Sequence, residues 1–249
     1  MKFKGKAAKL ADIDLPRVGA MIGVGEDEIH AILDVESAGT GFDKQGRPRM
    51  LFEPHVFWRE LGPGPKRDAA EKAGLAYPKW KRDYPVDSYP RLLKAMAIDE
   101  ERALRSASWG LGQVMGFNHA RAGYPSARAM VESFRETEAD QLAAMVTFIR
   151  ASGLDDELRR HDWAGFARGY NGAGFAANRY DKKLAAAFAK WQRIKDTPYP
   201  DAKSALDAAA DAMLAPKPVA DNSQPVPDAK GFWASLLTAL LGILKGRKA

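Results

Sequence analysis

The chain has 249 residues, 46% of them hydrophobic and 28% charged, a balance that places it among globular proteins and excludes disordered, collagen-like and disulfide-scaffold classes. It has no cysteine, which removes disulfides, thiolate metal sites, iron–sulfur clusters and cysteine nucleophiles together. The formal net charge of +6 points to polyanionic partners such as nucleic acid, anionic cell wall or a membrane surface.

In chain order, the start MKFKGKAAKLADIDLP has lysines but no apolar stretch before Asp12, so it reads without a signal peptide. A protein of this kind acting outside the cytoplasm needs another route of release. Residues 26–39, EDEIHAILDVESAG, read as a helix: Glu26, Asp27 and Glu28 suit its N-terminus, Ile29, Ile32 and Leu33 form a buried stripe, and Gly39 with Gly41 supplies a stop. Residues 39–54 carry turn residues around Lys44, Gln45 and Gly46 and an extended flank from Arg49 to Glu53, which predicts a small β-hairpin. Further helices are expected at about 88–104, 125–133, 136–151, 162–170 and 179–194, with Ser88, Asp162 and Asn178 as N-caps. The expected fold class is mainly α with a small β element near residues 40–53, an α+β arrangement.

Three parts follow from composition: a main domain over 1–195, an Ala-rich helix and Pro-rich acidic linker over 196–229, and an apolar helix with a basic end over 230–249. The linker APKPVADNSQPVPD holds four prolines and cannot bury a core. Phe232 to Leu244 is a run of thirteen residues without charge, closed by Lys245, Arg247 and Lys248. As a helix it would be about 20 Å long, short of the ~30 Å hydrocarbon core. It suits either contact with an anionic membrane surface or docking onto protein.

Glu36 continues the buried stripe of the first amphipathic helix at its last turn, beside a glycine-rich loop. A desolvated carboxyl there would have a raised pKa, as a general acid near neutrality needs; a helix-terminal glutamate reaching out to water is the alternative. Glu53 is the second carboxylate of interest, placed by strand periodicity with Arg49 and Leu51 and able to face Glu36 across a cleft. Paired carboxylates serve glycosidic bond cleavage, whereas an ion pair of Glu53 with Arg47 or Arg49 would be structural. SWGLGQVMGFN, residues 108–118, is too glycine-rich for an ordinary helix and allows close approach of a ligand or another backbone. Tyr170 and Asn171 lie at a helix-to-loop junction and suit sugar stacking and hydrogen bonding, or packing with a C-cap. His30, His55, His119 and His161 are dispersed without HExxH spacing, so neither a metal site nor a cofactor is expected. No GxSxG, Walker or dinucleotide signature is present, and the basic residues form no nucleic-acid-binding stripe.

Taken in order, Glu36-Ser37-Ala38-Gly39, then Ser108-Trp109-Gly110-Leu111-Gly112-Gln113-Val114-Met115, then Gly169-Tyr170-Asn171-Gly172-Ala173-Gly174 resemble the three-motif pattern of the lysozyme-like superfamily, which includes lytic transglycosylases and goose-type lysozymes. The closer resemblance is to the N-acetylmuramidase domain of phage endolysins, from about Ile13 to Trp191 and including Leu51-Phe52-Glu53-Pro54-His55. The resemblance implies a lysozyme-like fold and cleavage of the β-1,4 bond between N-acetylmuramic acid and N-acetylglucosamine in peptidoglycan. It implies Glu36 as catalytic acid, Glu53 as a second carboxylate, and Ser108, Gln113, Tyr170 and Asn171 along the sugar subsites. Release to the wall through a holin fits the N-terminus. A lytic transglycosylase and a non-catalytic peptidoglycan-binding protein are the rival expectations. The tail 196–249 resembles no standard wall-binding module.

Overall fold

A computed structural model describes residues 1–36, 39–81 and 83–199, apart from the side chains of Glu36 and Ala173. The expected Ala-rich helix, the Pro-rich linker and the apolar basic helix of 230–249 lie outside the described residues. The elements run α1 (Asp14–Ala20), α2 (Glu26–Glu36), β1 (Met50–Phe52), α3 (Pro54–Leu61), α4 (Pro65–Lys72), α5 (Tyr89–Met96), α6 (Glu100–Arg105), β2 (Ala107–Trp109), β3 (Val114–Met115), α7 (Ala127–Phe134), α8 (Glu138–Ala151), α9 (Asp155–Arg159), α10 (Trp163–Asn171) and α11 (Tyr180–Trp191). Short 3-10 turns at Gly116–Asn118 and Ala173–Ala176 complete the described chain. This is the expected mainly helical α+β fold with one small sheet.

Helix α8 runs through the interior of the domain. Thr137 caps it by accepting from the Asp140 amide at 2.9 Å, and Leu142, Ala144, Met145, Val146, Phe148 and Ile149 are buried on several of its faces. Apolar burial around most of a helix places it inside the domain rather than at its surface. Helix α2 buries Ile29 and Ile32 of the predicted stripe completely, together with Ala31, while Leu33 is half-buried, and it packs along α11. There the His30 and Trp191 rings stack, and Asp34 Oδ2 accepts from Lys190 Nζ at 2.8 Å and Trp191 Nε1 at 2.9 Å.

The expected hairpin is present, with the Asp43 amide donating to the Arg47 carbonyl at 2.8 Å and the Arg49 amide to the Gly41 carbonyl at 2.7 Å, and the sheet extends it. The turn at Lys44–Gly46 is present, with Asp43 Oδ1 accepting from the Gln45 and Arg47 amides at 2.9 Å, and Phe42 bridges Pro48. Beyond it, β1 pairs across the molecule with β2 (Leu51 opposite Ser108), and β2 pairs with β3, all antiparallel. The glycine-rich 108–118 segment therefore supplies two strands. Both β2 and β3 are buried throughout, so no polar–apolar alternation marks them.

Two helix expectations change as well. The stretch 88–104 divides into α5 and α6, because Asp99 adopts an extended conformation and caps α6 through the Arg102 amide at 3.0 Å. Ser88 stands at the start of α5 without a capping bond; Asp87 Oδ1 accepts from the Tyr89 amide instead, at 3.0 Å. Asp162 caps α10 as expected, accepting from the Gly165 amide at 2.8 Å. Asn178 does not cap α11; that position belongs to Arg179, held in the left-handed region at φ 54°.

Candidate active site

Glu36 is the last residue of α2. Just before it, Leu33 and Asp34 line an open cleft of about 360 Å³, and just after it Gly39 lines the same cleft, with Leu10, Leu111 and Glu138 completing the wall. Two of the sequence segments singled out above reach this cleft, through Gly39 and Leu111, and all three touch α8, the third through Tyr170 against Phe148 with ring centroids 5.9 Å apart. Gly41 lies so close to that helix that a Cβ would sit 1.9 Å from Gln141 Oε1. Gly112 lies against Met145, where a Cβ would sit 2.7 Å from Cγ. These glycines thus admit side chains of α8. Gln141, fully buried, accepts from the Leu111 amide at 2.7 Å and donates to the Phe134 carbonyl at 2.7 Å.

The remaining expected site residues form the scaffold beside the cleft. Ser108 is fully buried on β2 and donates to Gln113 Oε1 at 3.0 Å, while Gln113 Nε2 donates to the Gly110 carbonyl at 2.7 Å. Gln113 holds φ 47°, so its side chain braces the turn that its own backbone makes. Tyr170 is buried, stacked on Phe166 with ring centroids 5.3 Å apart, and donates from its hydroxyl to the Gly112 carbonyl at 3.3 Å. Asn171 is buried at the end of α10.

Glu53 has no exposed surface and is not among the residues that line the cleft. It precedes Pro54 as the N-terminal residue flanking α3 and donates its amide to the Ser106 carbonyl at 2.9 Å. Its Oε2 accepts from the Tyr84 hydroxyl, with His55 Nδ1 3.3 Å away. Burial and the adjacent Glu53 carboxylate push the Tyr84 hydroxyl far above its ordinary value, so Tyr84 remains a donor. Arg47 is not its partner, being engaged by Asp43 at 2.7 Å and Asp87 at 3.2 Å.

Glu138, Asp34, Gln141 and Tyr84 escape sequence reasoning. Glu138 reads as an ordinary first-turn acid, and its hydrogen-bond partners lie 97 to 129 positions away, so nothing local announces it. Burial pushes its carboxyl up, but the Gly41 amide, Lys9, the Leu10 amide and Thr40 outweigh this and hold it below the ordinary value. Among the described residues no group of three or more His, Asp or Glu side chains is arranged to hold a metal ion.

The N-acetylmuramidase family model matches residues 26–192. The chain belongs to the N-acetylmuramidase family. Among solved structures, the muramidase domain is similar to the crystal structure of the endolysin of Burkholderia AP3 phage, with 38% sequence identity, a TM-score of 0.69, and coverage of 74% of this chain and 72% of that one. No curated protein matches the chain. The muramidase match ends at the last turn of α11, so the family domain closes where Lys190 and Trp191 reach Asp34.

Proposed function

We propose that this chain is a phage-type endolysin that hydrolyses the β-1,4 bond between N-acetylmuramic acid and N-acetylglucosamine in peptidoglycan, with Glu36 as general acid. The supporting observation is convergence: Gly39 and Leu111 line a cleft beside the end of α2, and the segments that carry them pack on α8 together with Tyr170, which bonds the Gly112 carbonyl. In this reading residues 1–195 form the catalytic domain. Glu36 donates its proton to the bridging oxygen as the bond from that oxygen to the muramic acid anomeric carbon breaks. Water adds to that carbon and returns a proton to Glu36. A general acid must hold its proton near neutral pH, which a water-poor setting favours. Glu53 is the second carboxylate of this reading, acting from a buried position held by Tyr84, and Ser108, Gln113, Tyr170 and Asn171 support the sugar-binding wall from buried positions beside the cleft. The protein is made in the host cytoplasm and reaches the wall through a holin, and the apolar, basic 230–249 segment contacts anionic membrane.

The test is digestion of purified peptidoglycan by wild type and Glu36→Gln, with mass spectrometry of muropeptides after borohydride reduction. Reducible muramic acid ends that vanish in the variant are the expected result; equal product from both proteins rejects Glu36. One observation favours a second reading, a lytic transglycosylase. Glu53 offers no exposed oxygen to a water, which suits attack by the muramic acid 6-hydroxyl, and anhydro ends would identify it.

A further inference from the structure

Residues 1–10 precede the region that matches the muramidase family, yet they reach the cleft. Phe3 is buried against Tyr89 and Trp109, with ring centroids 4.9 and 6.0 Å away. The following chain runs beside the segment leading into α8: the Ala8 amide donates to the Glu136 carbonyl at 2.9 Å, and the Glu138 amide donates to the Ala8 carbonyl at 2.9 Å. This pairing delivers Lys9 and Leu10 to the Glu138 carboxylate.

Four donors converge there. Oε1 accepts from the Gly41 amide at 2.7 Å, Thr40 Oγ1 at 3.0 Å and Lys9 Nζ at 3.0 Å, and Oε2 accepts from the Leu10 amide at 3.1 Å. Only an ionised carboxylate accepts at both ends; an amide of the same shape would turn an NH2 group toward at least one donor. The bonded loop begins four residues after Glu36. Two residues before Glu36, Asp34 is gripped by Lys190 and Trp191. The described residues on either side of Glu36 are therefore held, Asp34 from α11 and Thr40 with Gly41 from α8.

We propose that Glu138 is a positioning residue for catalysis, fixing the Thr40–Gly41 backbone, and with it the end of α2, through a network completed by Lys9 and Thr40 of segments distant in sequence. The proposal rests on the reading of Glu36 as the acid. An acid has to meet the glycosidic oxygen within hydrogen-bond reach, and displacement by about 1 Å costs up to roughly a hundredfold in rate. Such support acts on turnover, and Thr40 and Lys9 probe it without touching the wall, since neither is among the residues that line the cleft.

The test uses the full chain with Glu138→Gln, Thr40→Val and Lys9→Met, beside the conservative Thr40→Ser and Lys9→Arg. The two peripheral variants carry the test if Glu138→Gln does not fold. Expected are kcat values roughly tenfold lower for Thr40→Val and Lys9→Met, with KM within about twofold, unchanged circular dichroism, and recovery in the conservative forms. Wild-type kcat in both peripheral variants, or a loss confined to KM, overturns the positioning role. Activity that is lost in Glu36→Gln, with wild-type kcat in both Thr40→Val and Lys9→Met, overturns this proposal alone. Identical products from wild type and Glu36→Gln overturn the parent reading, and this proposal with it.

Discussion

The His30 imidazole lies face to face with the Trp191 indole, ring centroids 3.6 Å apart and planes within 5° of parallel. This stack joins the middle of α2 to the last residue of α11, and Trp191 adds a hydrogen bond to Asp34 one turn further along α2. Trp191→Ala should therefore destabilise the domain by about 2 kcal/mol, and Trp191→Phe, which keeps a ring but loses the donor, by about 1 kcal/mol. Thermal unfolding followed by circular dichroism measures both, and a Trp191→Phe variant as stable as the wild type would deny the hydrogen bond any part.

His30 also sets a pH dependence. Burial is the main influence on it and lowers its pKa from 6.5, against the raising effect of Glu26, Asp34 and Asp12 and with a smaller lowering effect from Lys190. A histidine depressed in the folded state binds its proton more readily when unfolded, so its stabilising contribution is complete above pH 6.5 and is lost as pH falls below that value. Between pH 7.5 and 5.5 the wild type should lose more melting temperature than His30→Gln. Parallel curves would exclude His30 as the cause.

Glu138 acts in a lower window. Its depressed carboxyl pKa gives a contribution that is present above the ordinary value of 4.5 and disappears as pH falls through the folded value. Glu138→Gln should be less stable at neutral pH yet show a flatter acid limb below pH 4.5 in urea titrations. An acid limb as steep as that of the wild type would place the acid-labile group elsewhere.

Much of the helical frame was legible. The Ile29, Ile32 and Leu33 stripe of α2 and the Asp162 cap of α10 are local patterns, and local patterns survive in sequence. The Ser108 and Gly110–Gln113 region was recognisable by its glycines but not as strands, since buried strands of three and two residues have no alternation to show. The division of α5 from α6 depended on one aspartate taking a capping role. Glu53 was legible as a notable carboxylate, whereas its partner Tyr84, 31 positions away, was not. Side chains such as Glu138 that tie distant segments leave no periodic trace, and only the three-dimensional arrangement reveals them.

Gly41 tests the close packing of the cleft loop on α8. Its missing side chain leaves room for Gln141 Oε1, so Gly41→Ala must displace the buried Gln141 side chain, which is held by the Leu111 amide and the Phe134 carbonyl, and should cost more than about 2 kcal/mol. Chemical denaturation gives the value; a cost below about 0.5 kcal/mol would mean the loop relaxes freely.

The Tyr84–Glu53 contact lends itself to a double-mutant cycle. Tyr84→Phe leaves a fully buried carboxylate oxygen without its donor and should cost about 1–3 kcal/mol, while the same change in a Glu53→Gln background should cost measurably less. Additive losses would show that the two groups do not interact.

The backbone contact between Ala8 and the residues entering α8 has a consequence for how the protein comes into being. Its two strands of chain are separated by 128 or more positions, so closing this loop carries a large entropic cost that shorter-range contacts do not meet. A nascent chain emerging from the ribosome holds its first ten residues unpaired until α8 has been synthesised, and α11 comes later still. The cleft is consequently among the last parts of the domain to take shape, and a chain interrupted before α8 lacks the Glu138 side of its wall.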